Sequence, residues 1–289
     1  TGIRLASDAI AGLEQNPETN ASLYDPRQLA SLRRRLHAYQ GGTILVSIPL
    51  PPHQCPPAPY EFVLLLSEYI RRRKLKGRIV LLDANTGPQP MPLAQPFESA
   101  LERNRDLIEY IPAIEVERVE AAARRVMTTY GEAFSYDLLS LISPQRAAHF
   151  VQQAGLSEPG DPFVAVDPLS FRSTKFDTIY ALGDVARTPF ARTASSANAC
   201  AVVCAREIAA ALGAQTGRES VPPLSFQSAC YPYINREQAL LMRINYELKR
   251  AAAGPQVETR VTVDEQPRAA HVAERKTWEQ ALLQQVFGA

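Results

Sequence analysis

The chain has 289 residues, 46% of them hydrophobic and 21% charged, with a formal net charge of +1. That is enough for two domains, or three small units, around ordinary buried cores. The charge balance gives no broad pull toward nucleic acid or a membrane surface. No apolar run approaches the ~20 residues that span a bilayer, and Thr1-Gly2-Ile3-Arg4 is not a signal peptide.

After a polar stretch from Glu14 to Asp25, apolar Leu29, Leu32 and Leu36 predict a helix from Pro26 to Tyr39. Gly41-Gly42 then turn the chain into a buried strand, Thr43 to Pro49, and a helix follows from Tyr60 to Lys76. In a dinucleotide-binding unit the turn between them is Gly-x-Gly-x-x-Gly, whose N–H groups approach a pyrophosphate. Here the turn is Leu50-Pro51-Pro52-His53-Gln54-Cys55-Pro56-Pro57-Ala58-Pro59, with no glycine and five prolines. Proline donates no N–H, so this turn suits a rigidly held thiol at the carboxyl edge of a sheet rather than a phosphate. The run Arg71-Arg72-Arg73-Lys74 ends the helix, where cations complement the macrodipole and are solvated.

Arg78 to Asp83 is the next strand, apolar enough for a parallel sheet. Asp83 stands where such strands carry a ribose ligand, but without the glycine turn it is not expected to serve as one. Ile108 to Ile111 and the segment Val116 to Thr129 complete this unit. A second apolar strand is read at Phe134 to Leu139, another at Phe163 to Asp167, and a third at Phe176 to Asp184, stopping at Gly183-Asp184. An alanine-rich helix runs from about Ala197 to Leu212, with Cys200 and Cys204 as buried small hydrophobes. From 215 the character changes to short alternating strands, Leu240 to Leu248 and Val257 to Val263, with Cys230 just ahead of them. A last helix, Val272 to Val286, carries Trp278. No Cys-x-x-Cys and no ligand spacing among His37, His53, His149 and His271 occur, so no metal site is expected.

Cys55-Pro56-Pro57-Ala58-Pro59-Tyr60-Glu61 resembles the Cys-Pro-Pro-Gly-Pro-Tyr-Glu segment of the flavoprotein subunit of flavocytochrome c sulfide dehydrogenase. The likeness extends in order through Gly41-Gly42-Thr43, Tyr136 to Leu139, Pro144 to Ala147, Ala154 to Leu156, Gly183-Asp184, Ser196 to Asn198, Cys230-Tyr231 and Trp278 to Gly288. It departs at Ala58, at His53-Gln54 in place of Phe-Arg, and at Arg192-Thr193-Ala194 in place of Lys-Ser-Gly. The resemblance implies an α/β flavoprotein with two dinucleotide-binding domains, glutathione-reductase-like, and a C-terminal α+β interface domain. Its divisions are an FAD domain (1–2 and 143–214), an NAD-type domain without a nucleotide site (3–142) and the interface domain (215–289).

The resemblance further implies FAD, a redox-active bridge between Cys55 and Cys230, a small sulfur substrate and a cytochrome c subunit as electron acceptor in the periplasm. Spacing alone leaves a purely structural bridge equally open, since closing so long a loop stabilises by about 4–5 kcal/mol on the chain-entropy model. Glu61 either complements the helix dipole or accepts a proton from sulfide or a thiol. Gly2, Gly183, Asp184, Arg192, Ser196, Ala197, Asn198 and Trp278 are the candidate flavin-contacting residues, Trp278 alternatively plugging the core. Gly-x-Gly-x-x-Gly is missing, and Thr1-Gly2 is similar to the end of the family's Ala-Thr-Gly segment. The resemblance therefore implies about one hundred preceding residues, one small Rossmann unit. Rival readings are a sulfide:quinone reductase-like enzyme with an apolar patch at Leu282, Leu283, Val286 and Phe287, a non-catalytic flavoprotein subunit and, least favoured, an NADH-dependent oxidoreductase.

Overall fold

The computed structural model describes residues 2–213, 224–252 and 254–288. Helix α1 (Leu29–Ala38) leads into strand β1 (Gly41–Ile48), and α2 (Ala58–Arg72) leads into β2 (Lys76–Asp83). Helix α3 (Ala94–Arg103) and β3 (Ile108–Ile111) follow. A small antiparallel sheet comes next, formed by β4 (Val116–Glu120), β5 (Arg125–Thr128) and β6 (Ala133–Ser135). The chain then returns through β7 (Leu138–Leu141) to the parallel sheet, whose order is β3-β2-β1-β7.

The apolar runs of β1 and β2 read as continuous because both faces of the sheet are covered. Alternate residues Ile44, Val46, Ile48, Ile79 and Leu81 pack with Tyr60, Val63 and Leu64 of α2 and Phe97 and Leu101 of α3. The opposite set, Leu45, Val80, Leu82, Leu139 and Leu141, packs with Val119 and Val126 of the antiparallel sheet. Gly42 (φ +99°) is required where β1 begins, since a Cβ there would lie 2.1 Å from Asp137 Oδ2. The same Asp137 oxygen accepts the Thr43 N–H at 2.7 Å.

Helix α4 (His149–Gln153) and the long α5 (Ala194–Ala211) flank a loop-rich segment held by a two-residue parallel pairing, Val164–Ala165 with Ala186–Arg187. Near the C-terminus, β8 (Leu224–Cys230), β9 (Tyr233–Asn235), β10 (Gln238–Ala251) and β11 (Gly254–Arg268) form an antiparallel sheet, and α6 (Ala269–Phe287) closes the chain. The α/β class and the parallel sheet agree with the sequence reading.

Three local expectations are corrected. Phe134 to Leu139 is not one strand. It breaks at Tyr136-Asp137, because Asp137 turns to bond β1, so Phe134 serves the antiparallel sheet and Leu138 the parallel one. Phe176 to Asp184 is not a strand either, because Tyr180 makes only an isolated bridge to Arg172 and the ladder forms beyond Asp184, at Ala186–Arg187. Gly183 (φ +69°) instead opens a 3-10 turn, Gly183–Val185. The two short C-terminal strands are one long hairpin, β10–β11, and Cys230 ends a strand of its own, β8. The expected boundary at 214/215 lies outside the described residues.

Candidate active site

The proline turn between β1 and α2 delivers Cys55 to the mouth of a cleft of about 520 Å³. Cys55 takes a left-handed conformation, φ 41°, uncommon for a residue with a Cβ. Neighbouring groups hold it there. Its N–H donates to Arg192 O at 3.1 Å, and its carbonyl accepts from the Ala58 N–H at 2.9 Å and from the Tyr24 hydroxyl at 2.8 Å. Gln54, one residue earlier, donates its N–H to Gln145 Oε1 at 2.7 Å and its side-chain amide to Asp184 Oδ2.

Cys230 reaches the same cleft from the end of β8, so the two cysteines that the sequence separates line one space. Both are free thiols in this structure, as are Cys200 and Cys204, which lie buried on α5 as expected. Burial pushes the Cys55 thiol up to about 11, and the nearby Glu61 carboxylate adds to the rise. Burial likewise pushes Cys230 up to about 12, with Cys55 and Glu61 contributing.

Glu61, on the first turn of α2, lines the cleft as well. Burial raises its carboxyl above the usual carboxylate range, and Arg275 works against that rise. Arg275 Nη1 donates to Glu61 Oε1 at 3.0 Å while its guanidinium sits 4.5 Å from the centre of the Tyr233 ring. Trp278, one helical turn on, lines the cleft and packs on Tyr231, ring centres 5.8 Å apart.

The third wall is the segment between the Gly183 turn and α5. Asp184, Arg192 and Ala197 line the main cleft, and Gly183 and Ser196 join them around a small adjoining recess. Arg192 donates to the Asp184 carbonyl and lies 3.9 Å over the Phe163 ring. Its burial lowers the pKa from the usual arginine value. Thr193 caps α5, its hydroxyl accepting the Ser196 N–H at 3.2 Å. Asn198 is half-buried one residue past Ala197 and lines neither space, and Gly2 is exposed at the N-terminal end, away from the cleft. The sequence reading missed Tyr24 and Arg275 in the cleft, and Gln145 behind Gln54. None carries a local signal, because each reaches the site from a distant element.

These residues fit the ring and ribityl end of a flavin. Asp184 offers a carboxylate to hydroxyls, and the capped start of α5 offers small residues and N–H groups. Asp83 is not available to a nucleotide. It is 0% exposed and accepts from Tyr60 at 2.5 Å, Tyr110 at 2.9 Å, and the Asn85 backbone and side chain at 2.9 and 2.7 Å.

Residues 29–143 match the family model for the central part of the sulfide dehydrogenase (flavocytochrome c) flavoprotein chain. This segment is similar to that family. It contains the Cys55 turn, Glu61 and the whole parallel sheet. Over 207 residues the chain is 23% identical to the mitochondrial sulfide:quinone oxidoreductase of Dictyostelium discoideum, covering 68% of this chain and 45% of that protein. The chain spans about half the length of the curated relatives it matches. In fold it is similar to the sulfide:quinone oxidoreductase of Aquifex aeolicus (TM-score 0.68, 15% identity, 98% of this chain and 67% of that one). It is similar also to an NAD-dependent persulfide reductase from A. fulgidus (TM-score 0.58, 14% identity, 91% of this chain and 50% of that one). The sulfide dehydrogenase resemblance and the α/β fold class read from the sequence are thus both met.

Proposed function

We propose that the protein oxidises sulfide, or a related small sulfur anion, through a Cys55–Cys230 disulfide beside FAD. The observation that carries this reading is the meeting of Cys55, Cys230 and Glu61 with Asp184 and Arg192 in one cleft. With the bridge closed, a hydrosulfide anion attacks one sulfur, forming a new S–S bond and breaking the old one. The products are a cysteine persulfide and a cysteine thiolate. Burial disfavours that thiolate, as the raised thiol values of the free pair express. Glu61, protonated more readily than an ordinary carboxylate, is placed to give it a proton and later to take one back. The Arg192–Asp184 side of the cleft holds and orients the cofactor. When bound, the flavin supplies a two-electron acceptor next to the sulfurs.

The family match supports a cytochrome c subunit as the onward acceptor, and a periplasmic location suits a persistent disulfide. A quinone acceptor is the second reading, favoured by the sulfide:quinone oxidoreductase relatives and by exposed Leu283, Val286 and Phe287 at the end of α6. Among the described residues no helix is long and apolar enough to cross a membrane.

The test is the visible spectrum of the full-length protein before and after sulfide, without oxygen. Bleaching of flavin bands, or a long-wavelength charge-transfer shoulder, both lost in Cys55→Ser, is the expected result. A flavin spectrum indifferent to sulfide overturns the reading. Turnover with cytochrome c against a short-chain quinone separates the two acceptors.

A further inference from the structure

Cys55 and Cys230 are tied to the same short stretch of chain. The Cys55 N–H bonds Arg192 O at 3.1 Å. Two residues before Cys230, on the same side of β8 by the strand's period of two, Ser228 Oγ lies 2.9 Å from Thr193 Oγ1 and 3.0 Å from Ser195 Oγ. Thr193 Oγ1 also lies 3.1 Å from both Ser195 Oγ and Ser196 Oγ.

Capping α5 needs only Thr193 and the Ser196 N–H. Ser228 goes beyond that. It is 0% exposed, and a buried hydroxyl is costly unless it is bonded. It comes from β8 to complete a hydroxyl network with the start of α5, and such networks rigidify what they join. A disulfide tolerates only a narrow spread of Cα separations, roughly 4.4–6.8 Å, so a small slide of β8 against Arg192–Ser195 changes whether the sulfurs meet.

We propose that the Thr193–Ser195–Ser228 hydroxyl cluster is a positioning device that holds Cys230 in bonding register with Cys55. These are positioning residues: they act through the placement of β8. The inference rests on the reading of Cys55 and Cys230 as a redox pair.

The test uses the full-length, flavin-loaded protein and its variants Ser228→Ala, Thr193→Val and Thr193→Ser. Each is equilibrated without oxygen in mixtures of reduced and oxidised dithiothreitol. Oxidised dithiothreitol takes two electrons and two protons from the thiol pair and opens to its dithiol as the Cys55–Cys230 bond forms. A maleimide of high mass then counts free thiols, and peptide mapping assigns them. We expect S228A and T193V to lower the equilibrium constant for the bridge about tenfold, about 30 mV for this two-electron couple. T193S should restore it, with Cys200 and Cys204 labelling unchanged. A folded S228A or T193V with the wild-type constant overturns the inference while leaving the sulfide reading intact. Wild-type protein that never forms the bridge overturns both. If S228A and T193V do not fold, Ser195→Ala decides, since it leaves the Thr193–Ser228 contact in place. A two- to threefold drop supports the inference, and no change overturns it.

Discussion

Glu61 and Arg275 meet at 3.0 Å across the cleft, 214 residues apart in sequence. One stands on the first turn of α2, the other on α6, so this half-buried pair joins the segment carrying Cys55 to the C-terminal helix. Arg275→Ala leaves a half-buried carboxylate without its cation, and we expect a loss of about 1–2 kcal/mol at neutral pH. The sign with pH follows from the raised carboxyl of Glu61. Where the native state holds a proton that the unfolded state has lost, stability falls as pH rises. Stability from a protonated Glu61 is therefore full below the unfolded carboxylate value and is lost as pH rises through the folded one. Removing Arg275 moves that upper limit higher. The deficit of the variant should shrink in acid and grow toward pH 7, which thermal melts across pH 4–8 would measure. A deficit independent of pH would contradict it.

Glu61→Gln should make Cys55 more reactive, not less, toward a neutral alkylating agent in the reduced protein. The Glu61 charge is one cause of the raised thiol, and the thiolate is the reacting form. Loss of that charge should speed iodoacetamide labelling of Cys55 about threefold to tenfold at pH 8–9. Mass spectrometry of the labelled peptide gives the rate. An unchanged or slower rate would mean that Glu61 does not govern the sulfur.

Arg192→Lys should destabilise the fold even though it keeps the charge. Arg192 lies 3.9 Å over the Phe163 ring and donates to the Asp184 carbonyl. A lysine keeps neither the planar stacking nor the fork. The expected loss is about 1 kcal/mol, visible as a lower melting temperature of the apoprotein. A melting temperature equal to wild type would remove the stacking argument.

Gly42→Ala should be among the worst single substitutions in the parallel sheet. A Cβ would meet the Asp137 carboxylate at 2.1 Å in a left-handed backbone, φ +99°. We expect a loss of about 2–4 kcal/mol, measured by denaturant unfolding. Gly131, whose Cβ would meet nothing within 4 Å though φ is +81°, is the control for the conformational part alone.

The central sheet was legible because its signals are local. The apolar runs of β1 and β2 and the glycines before β1 each carry their own instruction, and the proline turn announces the thiol directly. The segment Phe176 to Asp184 misled for the same reason. Its apolar residues suggest a strand, but a strand exists only where a partner lies alongside, and the partner meets Ala186–Arg187 instead. The break at Tyr136-Asp137 depends on a bond to Thr43, far off in sequence. In the cleft, Cys55, Cys230, Glu61 and Asp184 stood out by chemistry and family resemblance, whereas Arg275 and Ser228 are ordinary residues on a polar helix and a strand. Only the fold brings them to the site.

The buried Asp83 has a consequence for any attempt to change the electron donor. An engineer might rewrite the proline turn with glycines so that it could face a pyrophosphate. The carboxylate at the end of the neighbouring strand would still be turned inward, bonded to Tyr60, Tyr110 and Asn85. Tyr60 belongs to the helix that presents Glu61, so releasing Asp83 would loosen the sulfur site as it opened the nucleotide one. The two chemistries compete for a single scaffold, and no one substitution exchanges them.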